Sequence, residues 1–252
     1  MSTLAIVQAR MTSTRFPGKV LAPLAGKPMV LRQLERIQRA RTLDAVVVAT
    51  SSDPSDDELA AVIERAGVPV VRGSLDDVLA RFIAAIDVFG PDTVVRLTAD
   101  CPLTSPAVID LVVNAFRASD ADYTSNTMTP TYPDGLDVEV VKAAVLREVA
   151  SIATDPAERE HVTLGVYRRH DHYRIENVTA ERDLSSLRWT VDTPDDYAFV
   201  WGVYDDLLPA KEDFDLDDVL DYLARHPERR RTEADAARNA ALAGLDTGAM
   251  NA

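Results

Sequence analysis

Short apolar runs alternate with longer amphipathic stretches along the first half of the chain. Continuous apolar strands of about four to eight residues are typical of a sheet that is buried on both faces. The predicted strands are residues 4–8, 45–50, 68–71 and 93–98, and the predicted helices are 28–41, 55–66, 75–88 and 106–118. This order predicts an α/β fold in which helices cover both faces of a mostly parallel sheet.

The alternation stops between about residues 122 and 180. Residues 123–137 are rich in Thr, Pro, Asn and Gly and are predicted as a loop. Beyond it we predict strands at 138–141, 174–178 and 187–191, and helices at 142–153, 157–169, from 194 and at 215–225. We interpret residues 1–226 as one domain with an insertion at about 122–180, and residues 227–252 as a flexible tail.

The chain is acidic, with 27 Lys and Arg residues against 41 Asp and Glu residues and a formal net charge of −14. A field of that sign repels nucleic acids and anionic membrane surfaces, so we expect neither as a partner. The single cysteine, Cys101, excludes an internal disulfide, and no apolar run approaches the ~18 residues of a membrane span. We therefore expect a cytoplasmic protein without membrane insertion.

The loop after the first predicted strand carries three cations, Arg10, Arg15 and Lys19. Ligands of open α/β sheets bind at the carboxyl ends of the strands, so this loop is placed to bind phosphate. Backbone N–H groups of residues 9–14, with Arg10 and Lys19, are the groups expected to surround a triphosphate. The loop matches neither G-x-x-x-x-G-K-[ST] nor G-x-G-x-x-G. On spacing alone, a solvated surface loop is an equal alternative.

Two other predicted strands end in an aspartate, Asp100 and Asp192. Pro102 prevents further strand pairing, so the Asp100 carboxylate is expected at the carboxyl edge of the sheet. The alternative interpretation is that Asp100 only begins a turn. Residues 193–194, Thr-Pro, have the sequence of a helix start, which leaves Asp192 without a structural explanation.

Three segments, residues 7–21, 26–29 and 96–103, carry a family resemblance. They resemble the sugar-acid cytidylyltransferases, which include the CMP-Kdo and CMP-acylneuraminate synthetases, and especially the branch of spore coat polysaccharide biosynthesis proteins. The Gln-Ala-Arg sequence at residues 8–10 separates them from sugar-1-phosphate nucleotidylyltransferases, whose first loop is richer in glycine. Phe16 departs from the Leu that is usual there.

The resemblance implies a three-layer α/β/α nucleotidyltransferase-type fold whose small insertion forms a dimerisation and acceptor subdomain. It implies transfer of CMP from CTP to a sugar acid of the 3-deoxy-ulosonic or nonulosonic type, with release of pyrophosphate. Asp100 and Asp192 match the family's metal ligands, and two carboxylates with nucleotide phosphates suit Mg²⁺. A homodimer is the implied assembly, with CTP and an anionic sugar-like acceptor as its ligands.

The same resemblance implies roles for individual residues. Arg10 and Lys19 would be catalytic, because they would stabilise charge on the β- and γ-phosphates. The implied nucleotide contacts are Gln8, Ala9, Arg10, Met11, Ser13, Arg15, Lys19, Arg72, Ser74 and Arg96, and the implied acceptor contacts are Asp137, Glu139, Glu160 and His161. For His161 a surface position is an equal alternative. His170 and His172 are interpreted as solvated side chains, and Cys101 as a small buried neighbour of Asp100.

Two other functions stay open at the level of sequence. The first is a related nucleotidyltransferase that uses another nucleoside triphosphate or a non-sugar anionic acceptor such as a phosphonate. The second is a nucleotide-binding protein without activity. Four charged residues, Arg10, Lys19, Asp100 and Asp192, argue against the second, since a protein without activity has no reason to keep both carboxylates.

Overall fold

The computed structural model describes residues 1–232. Within this range, a seven-stranded sheet has the order β5-β4-β1-β6-β8-β7-β9, and β2 pairs with β3 in a separate ribbon. The strands are β1 Thr3–Gln8, β2 Pro23–Leu24, β3 Lys27–Pro28, β4 Ala45–Ser51, β5 Val70–Gly73, β6 Thr93–Thr98, β7 Tyr123–Ser125, β8 Glu139–Lys142 and β9 Ile175–Asn177. Of the seven described strands of this sheet, only β8 runs antiparallel to its neighbours. The predicted α/β class with a mostly parallel sheet is confirmed.

Several of the helices start at a short polar side chain that caps them. They are α1 Met29–Ile37, α2 Asp57–Arg65, α3 Val78–Phe89, α4 Pro106–Ala118, α5 Ala143–Ile152, α6 Pro156–Glu160, α7 Leu164–Tyr167, α8 Pro194–Leu207 and α9 Leu216–Arg225. The side chains of Asp77, Ser105 and Thr193 accept hydrogen bonds from first-turn N–H groups of α3, α4 and α8. Such caps satisfy donors that have no partner inside the helix.

Alternate residues of β1 enter two apolar clusters on opposite faces of the sheet. Ala5 and Val7 belong to a cluster that includes residues of α1, α4, α8 and α9. Leu4 and Ile6 belong to a second cluster, with residues of α3, α5 and α7. Because successive side chains of a strand point to opposite faces, β1 is covered on both sides and the domain has three layers.

Three local predictions differ from the structure. The predicted loop at 123–137 begins with β7, which pairs with β8 and β9. The predicted strand at 187–191 is wrong: Leu187 and Arg188 form isolated bridges only, because their partners are single residues outside the sheet. The predicted helix at 157–169 is divided into α6 and α7, and Val162 between them has a positive φ of 42°, a conformation that continues neither helix.

The predicted insertion at 122–180 contributes β7, β8 and β9 to the central sheet, so this region extends the main sheet. Of the predicted tail, residues 227–232 contain a 3-10 helix, Pro227–Arg229, and a bridge between Thr232 and Leu187. The rest of the tail lies outside the described residues. Within the described range, no helix has the length and apolar character needed to cross a bilayer.

Candidate active site

A cleft of about 690 Å³ opens at the carboxyl ends of β1 and β6. The loop after β1 contributes one wall, Asp100 follows β6, Asp192 precedes α8, and the end of α6 contributes the opposite side. Ten of the predicted site residues line it: Gln8, Ala9, Arg10, Ser13, Arg15, Lys19, Asp100, Glu160, His161 and Asp192. Cations and carboxylates that are far apart in sequence therefore share one cavity, as ligand sites of open α/β sheets do.

The Lys19 ammonium is bonded to both predicted metal ligands. It is buried and donates to Asp100 Oδ2 at 3.1 Å, Asp192 Oδ1 at 2.9 Å and the backbone oxygen of Val191 at 2.6 Å. An ammonium has three N–H donors, so this arrangement occupies all of them. Lys19 therefore bridges the two carboxylates in the structure, and it would have to leave them to bind a phosphate.

The charges of this cluster stabilise one another. Burial acts to lower the pKa of Lys19, but Asp100 and Asp192 outweigh burial and raise that pKa above its ordinary value. Burial likewise acts to raise the pKa of Asp100, and the neighbouring Lys19 outweighs it and lowers that pKa. Lys19 is therefore an ammonium and Asp100 a carboxylate at neutral pH.

Asp192 is also bonded to two arginines. Its Oδ2 atom accepts a hydrogen bond from Arg188 at 2.7 Å and forms an ion pair with Arg15 at 3.0 Å. Arg188 is buried and also pairs with Asp134 and Asp196, so it fixes the position of Asp192 from inside the protein. Arg15 is half-exposed on the first loop, and its ion pair connects that loop to the segment before α8.

Arg10 differs from the other cations of the cleft. Its side chain is exposed, and it makes no ion pair within residues 1–232. It is therefore available to an anionic ligand without breaking an ion pair among the described residues.

Six predicted site residues do not line the cleft: Met11, Arg72, Ser74, Arg96, Asp137 and Glu139. Arg72 donates to the Ser51 backbone oxygen and pairs with Asp57. The Ser74 hydroxyl accepts from the Asp77 N–H at 3.1 Å. The side chains of Arg72 and Ser74 are thus occupied by partners that do not line the cleft.

Arg96 and Glu139 form a buried ion pair below the cleft. They face each other in the antiparallel pairing of β6 with β8. Glu139 also accepts from the Tyr123 and Thr163 hydroxyls, and Arg96 donates to Gln8 at 3.0 Å. Arg96, a predicted nucleotide contact, and Glu139, a predicted acceptor contact, are thus paired with each other. Of these hydrogen bonds, only the one from Arg96 to Gln8 links this pair to the cleft lining.

His161 lies at the end of α6 beside the strained Val162. Burial is the largest cause that lowers the pKa of His161, and Arg96 and Arg10 act in the same direction against Glu160 and Glu139. The imidazole is therefore neutral near pH 7. A neutral imidazole can both donate and accept a hydrogen bond, which suits contact with a hydroxyl or a carboxylate.

Other candidate chemistry is excluded by burial or exposure. Burial and the neighbouring Asp100 raise the pKa of Cys101 well above its ordinary value, so the thiol stays protonated and is no nucleophile. His170 and His172 are exposed and lie within ion-pair distance of Asp171 and Glu148. In the part of the chain that the structure describes, no three His, Cys, Asp or Glu side chains are grouped to hold a metal ion.

Sequence reasoning missed two arginines of the site. Arg81 lines the cleft and donates to the backbone oxygens of Ser74 and Leu75. It lies on the buried face of α3 between Val78 and Phe82, and a cation on an apolar helix face was the signal available in the sequence. Arg188 carried a similar signal, because it lies between two apolar residues.

Comparisons with known proteins indicate the family of the chain. A protein-family model described as cytidylyltransferase matches residues 4–199. The spore coat polysaccharide biosynthesis protein SpsF of Bacillus subtilis is 33% identical over 232 residues, which cover 89% of this chain and 95% of that protein. The 3-deoxy-manno-octulosonate cytidylyltransferase of Geobacter sulfurreducens is 44% identical over 115 residues, which cover 44% of this chain and 43% of that protein.

A solved structure shows the same fold along nearly the whole chain. The cytidylyltransferase of Leptospira borgpetersenii is 31% identical, with a TM-score of 0.86 over 91% of this chain and 96% of that one. The resemblance stated from the sequence motifs is thus confirmed. Since the family model spans most of the domain and both near full-length relatives exceed 30% identity, this chain belongs to the cytidylyltransferase family.

Proposed function

We propose that the protein transfers CMP from CTP to a sugar acid and releases pyrophosphate. The observation that carries the proposal is the single cleft in which loop cations face the Asp100 and Asp192 carboxylates. Relatives that act on sugar acids support the acceptor class, as the name of the Geobacter sulfurreducens protein indicates. A cytoplasmic location stays a prediction from the sequence, and a homodimer stays a prediction from the family resemblance.

In the proposed reaction, an acceptor oxygen attacks the α-phosphorus of CTP. The bond from the α-phosphorus to the bridging oxygen of pyrophosphate breaks, the acceptor hydroxyl proton passes to solvent water, and CMP becomes bonded to the acceptor oxygen. Transfers of this kind depend on positioning and charge neutralisation more than on covalent catalysis. Arg10 is free to contact the leaving phosphates, and the neutral imidazole of His161 can bind the acceptor hydroxyl or carboxylate.

The acid pair fits a magnesium ion. Asp100 and Asp192 each lie within 3.1 Å of one ammonium nitrogen, so their oxygens are already arranged around a shared cation. Mg²⁺ is commonly bound by one or two carboxylates with water and substrate phosphates. When bound, it would neutralise phosphate charge and lower the pKa of a coordinated hydroxyl.

The same contacts suggest a role for Lys19. A cation that competes for Asp100 and Asp192 would release the ammonium, whose three donors are satisfied by protein in the structure. The side chain of Lys19 would then be available to the phosphates of CTP. Lys19 would thus neutralise the Asp100 and Asp192 carboxylates before the nucleotide binds, and would neutralise the phosphates of CTP after it binds.

A pyrophosphate-release assay with four nucleoside triphosphates and a panel of acceptors tests the proposal. The panel contains 3-deoxy-manno-octulosonate, an acylneuraminate, a neutral sugar and a phosphonate. We expect release that requires both CTP and a sugar acid. Turnover of another nucleoside triphosphate, or of the phosphonate alone, would replace the proposal with the related nucleotidyltransferase.

A further inference from the structure

The first loop of the cleft closes on the backbone of Met11. The Met11 carbonyl accepts from the Gly18 N–H at 3.1 Å, and the Met11 N–H donates to Asp56 Oδ1 at 2.7 Å. Gly18 has a φ of 72°, a left-handed conformation that favours glycine and turns the chain back. Both backbone groups of Met11 are therefore occupied, and residues 12–17 begin at this fixed point.

Asp56 connects that point to the central sheet. Its side chain is fully buried, and its second oxygen accepts from the Ser51 N–H at 3.2 Å and from the Ser51 hydroxyl. Ser51 is the last residue of β4, a strand that pairs with β1 and β5. Hydrogen bonds to a carboxylate are roughly twice as strong as those between neutral groups, so Asp56 fixes the loop to a rigid strand end.

The segment beyond Met11 has donors available for an anion. Thr12, Ser13 and Thr14 line the cleft, and their backbone N–H groups donate to no protein acceptor within residues 1–232. Successive unpaired N–H groups form an anion site only when the backbone is already in position. The geometry of the loop therefore depends on the contact between Met11 and Asp56.

We propose that Asp56 is a positioning residue for the β- and γ-phosphates of the nucleotide. It touches no ligand; it fixes the start of the loop whose N–H groups meet those phosphates. The inference rests on the proposed function and adds a residue that neither sequence motifs nor the cleft lining identified.

Binding of CTP and of CMP to Asp56→Asn tests the inference by calorimetry. The amide nitrogen of asparagine cannot accept the bonds that one carboxylate oxygen accepts, so the loop loses part of its anchor. We expect CTP affinity to fall at least about tenfold, the equivalent of about 1.4 kcal/mol, and CMP affinity to change less than about twofold, because CMP lacks the phosphates concerned. An equal loss for both ligands, or none for CTP, would overturn the inference.

Asp110→Asn is the matched control. Asp110 accepts from the Thr42 N–H at 2.9 Å, from the Thr42 hydroxyl and from the Arg41 N–H, and it lies outside the cleft lining. This variant should lose stability and keep both affinities. If Asp56→Asn does not fold, Ser51→Ala decides, with an expected loss of about threefold for CTP only. A wild-type protein that does not prefer CTP to CMP would instead count against the proposed function.

Discussion

Replacing Lys19 by methionine should make the protein respond to a divalent cation in the absence of nucleotide. Methionine keeps most of the side-chain volume and removes the ammonium that bridges Asp100 and Asp192. The wild-type protein already has a cation between these carboxylates, so a metal ion without CTP should bind weakly. In Lys19→Met the two carboxylates have no ammonium between them, and a metal ion can take its place.

The magnitude follows from the burial of the cluster. Removing one partner of a buried ion pair costs about 3–5 kcal/mol of stability. Asp192 keeps its bonds to Arg15 and Arg188, and the side chain of Asp100 is 29% exposed. We therefore expect the lower end, about 3 kcal/mol, which lowers the Tm of a domain of this size by about 6–12 °C. A metal ion at about 100 times its Kd should restore about 2.7 kcal/mol.

Thermal unfolding with and without saturating Mn²⁺, and without nucleotide, measures this response. Lys142→Met is the matched control, because Lys142 pairs with Asp122 at 2.7 Å outside the cleft. We expect Mn²⁺ to raise the Tm of Lys19→Met but not that of the control or of the wild-type protein. Lys19→Met should also lose at least about 100-fold in turnover. A Tm of Lys19→Met that Mn²⁺ leaves unchanged would refute the competition between Lys19 and the metal.

Two further predictions concern Arg10 and His161. Arg10→Ala should lower kcat/KM for CTP about 10- to 100-fold, the range for a hydrogen bond to one charged group. Arg72→Ala should change kcat/KM by less than about threefold, because Arg72 is hydrogen-bonded to Ser51 and Asp57. Steady-state kinetics measure both values, and a larger loss in Arg72→Ala than in Arg10→Ala would reverse this assignment. Burial lowers the pKa of His161 below its ordinary 6.5, so the unfolded chain binds the proton more readily and stability falls as the pH drops below about 6.5. Between about pH 6.5 and 5, the Tm of His161→Gln should therefore fall less than the Tm of the wild-type protein. Parallel plots of Tm against pH for the two proteins would contradict this.

The sheet could be predicted because its signal is local. Apolar runs and caps such as Asp77 and Ser105 depend on neighbouring residues, and the structure confirms them. The strand predicted at 187–191 failed for a reason that is not local. The residues at 187–191 have the composition of a strand. In the structure, however, Leu187 and Arg188 bridge to Thr232 and Asp134, which lie outside the sheet. The sequence of a segment does not show which residues its backbone will pair with.

The site shows the same limit. The strand-end rule places Lys19 and Asp100 at one edge of the sheet, and both line the cleft. Asp192 lines the same cleft although the strand predicted before it is absent. The sequence cannot show that the Lys19 ammonium is hydrogen-bonded to both carboxylates when no phosphate is bound. Arg96 and Glu139 were assigned separate ligands, but the antiparallel register of β8 on β6 pairs them with each other. That register depends on where a strand from residues 122–180 joins the sheet.

The most direct test of the central claim is to identify the product. Wild-type protein is incubated with CTP, Mg²⁺ and 3-deoxy-manno-octulosonate or a related sugar acid, and the mixture is analysed by mass spectrometry and phosphorus NMR. The proposed reaction gives a CMP–sugar acid conjugate with a single phosphodiester, formed in equal amount with pyrophosphate. Pyrophosphate accompanied by free CMP, or CTP left intact with every sugar acid, would contradict it.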